Sequence, residues 1–137
     1  MINDARKDIY QAILDYWTAQ AVDADLVFAN ESFDPTPGRS WVRVTMLHTG
    51  GGQDSLGGTG NRKFLREGSI TAQVFCPQDG GLATSDALVE PVLAALEGLT
   101  FTLSNIRTYG GTINEIGPDN GWYQTNVGVP FEYDVLK

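Results

Sequence analysis

The sequence predicts an α+β domain, a mainly antiparallel sheet with two helices packed on one face. Three observations carry this expectation. The segments Asn3–Ala21 and Ser85–Glu97 repeat apolar residues at the three-and-four spacing of amphipathic helices. The segments Ser40–His48, Ser69–Cys76 and Trp122–Val135 alternate with the period of two that marks half-buried strands. Between the strand-like runs Ile106–Ile116 and Trp122–Val135 lies Gly117-Pro118-Asp119-Asn120-Gly121, turn chemistry that closes a hairpin.

In the first helix the stripe is Ile9, Ala12, Ile13, Tyr16 and Trp17, with Asn3 or Asp4 as the amino-terminal cap. Its polar face carries both signs of charge, which favours packing on a core over membrane binding. Leu26–Ala29 reads as a short strand, and Pro35 and Pro37 make Asn30–Gly38 a loop. Ser40–His48 puts Val42, Val44 and Met46 on one face, with Trp41 and Leu47 on the otherwise polar one, so a helix or neighbouring subunit is expected to cover it. His48 reads as a solvated residue at a strand end. Ser69–Cys76 turns Ile70, Ala72, Val74 and Cys76 one way, with Phe75 the exception, and Pro77–Gly81 is a turn. Ser85 is the expected cap of the second helix, whose stripe is Leu88, Val89, Val92, Leu93 and Leu96 and whose stop is Gly98. Pro91 inside that segment predicts a kink or a later start, because it removes a hydrogen bond at a cost of about 3 kcal/mol. Leu99–Leu103 and Ile106–Ile116 read as strands, the second interrupted by a bulge at Gly110-Gly111. In the final strand Tyr123, Val127, Val129, Phe131, Tyr133 and Val135 share a side, and Pro130 predicts an edge position or a bulge.

The 137 residues fit one domain spanning 1–137. A single cysteine, Cys76, excludes an intramolecular disulfide framework and any multi-cysteine zinc site, and its place on an apolar face predicts an inert buried thiol. Met1–Asp8 is charged and leads into no apolar core, and no run approaches the ~20 apolar residues of a bilayer span, so a soluble intracellular product is expected. The net charge of −8 opposes nucleic acid and anionic lipid at long range, although the basic residues concentrate between Arg39 and Arg66.

Thr49–Gly60 reads as a structureless loop with six glycines in twelve residues. Ordering it would cost roughly 12–24 kcal/mol, more than a small ligand supplies. A loop of this kind either stays mobile or orders on a large protein surface. Phosphate binding is the sharper alternative, but Gly57-Gly58-Thr59-Gly60-Asn61-Arg62-Lys63 lacks the order of a P-loop. The expected interface to another protein subunit is Gly50, Gly51, Gly52, Gln53, Asp54, Ser55 and Leu56 with the basic cluster Arg62, Lys63 and Arg66. Catalytic motifs are missing: His48 and Cys76 stand apart, and no nucleophile elbow or zinc helix appears. Asp15, Asp23 and Asp25 could cluster as a cation site, though their spacing fits no calcium loop. No enzyme, cofactor or metal is expected.

Several motifs occur in a telling order: Phe28-Ala29-Asn30-Glu31-Ser32-Phe33, Gly38-Arg39-Ser40-Trp41-Val42-Arg43-Val44, Leu56-Gly57-Gly58, Arg66-Glu67-Gly68, Phe75-Cys76-Pro77-Gln78-Asp79-Gly80-Gly81 and Leu96-Glu97-Gly98-Leu99-Thr100-Phe101. With the looser Trp122-Tyr123-Gln124 and Val127-Gly128-Val129-Pro130-Phe131, this series resembles the tail terminator (tail completion) proteins of long-tailed bacteriophages. Pro91 departs from the family pattern. The resemblance implies a structural protein that forms a homo-oligomeric ring, a hexamer, on the tail tube. Its partners would be further copies of itself, the tail tube protein and the head–neck connector, with no membrane and with DNA passing the lumen without specific binding. It would sit in the virion at the head-proximal end of the tail, assembled in the host cytoplasm. A neck or head-completion protein is the near alternative, and a small-molecule-binding or enzymatic α+β domain is the alternative of another class.

Overall fold

The computed structural model describes residues 2–78, 81–102 and 104–137. Helix α1 (Ile2–Ala19) leads into strand β1 (Asp25–Phe28). Strands β2 (Trp41–Gln53) and β3 (Lys63–Pro77) form a long hairpin, followed by helix α2 (Leu82–Leu96). Strands β4 (Arg107–Thr108), β5 (Thr112–Asp119) and β6 (Trp122–Leu136) complete the chain. All six strands belong to one sheet in the order β1-β2-β3-β6-β4, with β5 also on β6. Only the β1–β2 pair is parallel, so the fold is α+β with a mostly antiparallel sheet.

The alternation in the sequence becomes the two faces of the sheet. Val42, Val44 and Met46 of β2, Ile70, Ala72, Val74 and Cys76 of β3, and Val127, Val129, Phe131 and Tyr133 of β6 are buried in one cluster with both helices. Ile9, Ile13 and Trp17 of α1 and Leu88, Val89, Val92 and Leu96 of α2 fill the other side of that core. Each large side chain there contributes about 1.5–3 kcal/mol by leaving water. Trp17 also donates its indole N–H to Ala24 O at 2.9 Å, which ties the end of α1 to the entry of β1.

Several expectations are corrected. Asn3 and Asp4 lie within the first turn of α1, and the position before Ile2 is outside the described residues. Ser85 does not cap α2. The helix begins earlier, after Gly81, and Ser85 is buried inside it with its hydroxyl 2.9 Å from that of Thr125. Pro91 stands inside an unbroken helix. Gly98, at φ 65°, follows the Glu97 cap as the sequence requires. Leu99–Leu103 is not a strand: only Thr100 bridges, to Arg107, and Leu103 is outside the described residues. Within the Pro77–Gly81 turn, Asp79 and Gly80 are likewise outside them.

The turn between β5 and β6 is Asn120-Gly121, both with positive φ (51° and 83°), the primed geometry that matches strand twist. Pro130 is on no edge, because β6 lies between β3 and the β4/β5 pair. It falls where β4 stops and β5 has not begun, and its carbonyl accepts from Tyr109 N–H at 3.1 Å. The break at Gly110-Gly111 thus sits beside the one residue of β6 that cannot donate. Trp41 is buried by its own chain, since Phe33, Phe75 and Trp122 pack round it, whereas Leu47 is exposed.

Candidate functional site

The largest departure from the sequence reading is also the candidate site. Thr49–Gly60 is not a structureless loop. Strand β2 continues to Gln53, and Gly50, Gly51, Gly52 and Gln53 pair with Glu67, Arg66, Leu65 and Phe64 of β3. A register shift between His48 and Gly50 marks a bulge at the root of this extension. Glycine is required there by close approach: a Cβ on Gly68 would lie 1.9 Å from Leu47 O, and one on Gly51 2.3 Å from Leu65 O. Side chains could not have produced a readable alternation where two strands cross this tightly.

The extension is an arm. β1 covers β2 only as far as Val44, and β4 covers β6 only as far as Glu132, so past those points only β2, β3 and β6 continue. Asp54 N–H donates to Lys63 O at 2.7 Å, and Lys63 N–H to Ser55 Oγ at 2.9 Å, which closes the hairpin. Arg62 and Lys137 exchange backbone hydrogen bonds of 3.2 and 2.9 Å, tying the tip to the end of β6. Leu56 at the tip is 94% exposed. All ten residues expected at an interface, Gly50–Leu56 with Arg62, Lys63 and Arg66, therefore lie together on one arm.

The helix-side face of the arm holds residues that sequence reasoning missed. Half-buried Phe64 has the guanidinium groups of Arg62 and Arg66 and the ammonium of Lys137 at 5.6, 5.9 and 5.7 Å from its ring centre. Among the described residues, none of Arg62, Lys63, Arg66 and Lys137 forms an ion pair. Nothing in the sequence signals that Lys137 returns to Arg62, because only strand register brings them together. At the arm's root His48 is half-buried, with Nε2 2.7 Å from Tyr133 Oη and its ring edge-on to Phe131 and Tyr133. Burial, then the charges of Arg6 and Arg66, push the His48 pKa below its ordinary value. Burial raises that of Tyr133.

The other chemical candidates disperse. Asp23 and Asp25 share Arg39, at 2.7 and 2.9 Å, and Asp15 accepts from Gln11, so the three do not gather round a cation. Among the described residues no three histidine, cysteine or carboxylate side chains form a metal-binding group. Cys76 is buried, and burial raises its thiol pKa. An open groove of about 800 Å³ runs beside α1, lined by Asn3, Asp4, Arg6, Lys7, Asp8, Tyr10, Gln11, Leu14 and Phe28. On the open face of the sheet, Trp41 stacks on Phe75 at 4.2 Å with Arg43 5.3 Å above it, and Trp41 Nε1 and Arg43 Nε are buried without hydrogen-bond partners among the described residues.

No protein-family model matches the chain, and no curated protein matches it. Among solved structures, one chain whose name is a bare sequence identifier superposes with a TM-score of 0.66 at 11% identity, covering 96% of this chain and 97% of its own. At that identity the likeness shows the α+β fold alone.

Proposed function

We propose that this protein is a structural virion assembly protein that forms a ring on the end of a phage tail tube, ends tail elongation and offers the surface for head joining. The observation that carries the reading is the arm. It puts an exposed leucine and four cations that form no ion pair among the described residues on a three-stranded extension. Such a surface suits a protein partner better than a small ligand, because it combines a fully exposed apolar side chain with several cations. The order of motifs from Phe28 to Phe101 that resembles tail terminators supplies the class of partner. The ring is built of copies of this chain, six in the family it resembles, and its function needs no turnover and no cofactor.

The test is particle mass by sedimentation equilibrium and negative-stain imaging, with and without purified tail tubes. Rings in solution, or a monomer that becomes a ring on tube ends, agree with the reading. A protein that stays monomeric and never docks to tube ends overturns it.

A further inference from the structure

Charge is divided sharply along this chain. Residues 67–136 contain nine acidic residues and one basic residue, Arg107, so this segment alone accounts for the net charge of −8. Arg107 is itself engaged within the chain, 3.4 Å from Glu132 and 3.5 Å from Asp134. The arm's cations come from the two ends of that segment, Arg62, Lys63 and Arg66 before it and Lys137 after it.

Folding gathers the acidic segment into a surface. Helix α2 lies over β6, with Ser85 bonded to Thr125, and Leu93 lies beside Gly111, the residue before β5. Asp86 and Glu90, one helical turn apart, are exposed on α2. Glu115 on β5 is exposed and pairs with Thr125, whose hydroxyl meets that of Ser85, the residue before Asp86. Ile113 and Ile116 of the same edge strand are 54% and 50% exposed, and no strand pairs with the outer side of β5 among the described residues. One side of the molecule thus presents carboxylates round exposed isoleucines, while the arm presents cations round a half-buried phenylalanine.

We propose that the arm of one copy docks on the α2–β5 side of a second copy, with Arg62, Arg66 and Lys137 facing Asp86, Glu90 and Glu115. The two surfaces are different patches of one chain, so the contact is head-to-tail and propagates into a ring when its rotation closes. Opposite charges steer the encounter and fix the register, and Phe64 with Ile113 and Ile116 supplies apolar area at the centre. This inference rests on the ring reading and names the interface within it.

The test uses two charge-reversed forms of the full-length protein. One carries R62E, R66E and K137E on the arm, and the other carries D86K, E90K and E115K on the α2–β5 side. Circular dichroism melts confirm folding; if either form melts early, the single reversals R66E and E115K replace the triple substitutions. In sedimentation equilibrium at about 50 mM salt, the wild type assembles and each reversed form alone associates at least about tenfold more weakly, since like charges now meet. Mixed in equal amounts, the two forms assemble again, because each reversed surface finds its opposite on the other form.

If wild-type rings form and either reversed form assembles as well as the wild type, the inference is overturned and the ring reading stands. A mixture no stronger than its parts overturns it equally. If the arm variant still forms rings but no longer docks to tubes, the arm's partner is the tube and the inference falls. A wild type that neither assembles nor docks rejects the ring reading itself.

Discussion

Gly68 is where the arm leaves the body of the domain, and Gly68→Ala is the sharpest probe of how that root is built. It lies in the centre of three paired strands, opposite His48 on one side and Phe131 on the other. A Cβ there would meet Leu47 O at 1.9 Å, Phe131 Cζ at 2.8 Å and His48 Cα at 2.9 Å. A flexible side chain could swing away, but two of these three neighbours are backbone atoms. To accept one methyl group, β2 and β3 must separate by roughly 1 Å where interiors are close-packed. Overpacking costs about 1–3 kcal/mol, and a strained or lost ladder hydrogen bond about 1 kcal/mol more. The expected loss is therefore about 3 kcal/mol, read as a lower urea midpoint at unchanged slope. Gly58→Ala at the arm tip is the control, since nothing lies within 4 Å of its added Cβ. It should change stability by less than about 0.5 kcal/mol. A Gly68→Ala loss below about 1 kcal/mol would refute the close-approach reasoning.

Other outcomes follow from the same geometry. Pro91→Ala should stabilise the protein by about 1–3 kcal/mol in chemical denaturation, because Ala87 O regains an N–H partner in a helix that is already continuous. His48→Gln should flatten the pH dependence of stability. With the folded pKa depressed, the native state binds fewer protons than the unfolded one. The stability His48 contributes is complete above the unfolded pKa near 6.5 and is lost as pH falls through the lower folded value, which melts between about pH 7 and 5 would record. Replacing Ser55–Arg62 by Asn-Gly, which keeps the Asp54–Lys63 pairing, should leave the melting temperature within about 3 °C while impairing tail joining in a tube-docking assay. Trp41→Ala should cost about 3–5 kcal/mol, whereas Trp41→Phe, which removes an indole N–H that has no partner, should cost much less, as urea midpoints would show.

Local patterning made most of the scaffold legible. The hairpin turn was readable in Asn120-Gly121, because residues with φ above zero favour those types. The buried faces of β2, β3 and β6 were readable because alternation is a property of each strand taken alone. Ser85 misled because a serine before an apolar run reads as a cap, while its partner, Thr125, lies 40 residues away. Phe64 and Lys137 were missed at the candidate site because neither stands out from its sequence neighbours. They matter only through the register of β3 on β6, which sets Lys63 against Leu136.

By itself the sequence determined the two helices, the inward sides of β2, β3 and β6, and the charge the chain carries. Those follow from residue periodicity and composition, which need no knowledge of what lies opposite. Tertiary structure alone decided that Thr49–Gln53 is strand, since Gly50, Gly51 and Gly52 have no side chain to pattern and take their conformation from the partner strand. It also placed Pro130 beside the gap in the next strand, and it gathered cations from residues 62–66 and 137 round one ring. Each of these is a pairing between distant segments. Pairing is fixed by hydrogen-bond register and close approach, and neither leaves a mark within a single stretch of chain.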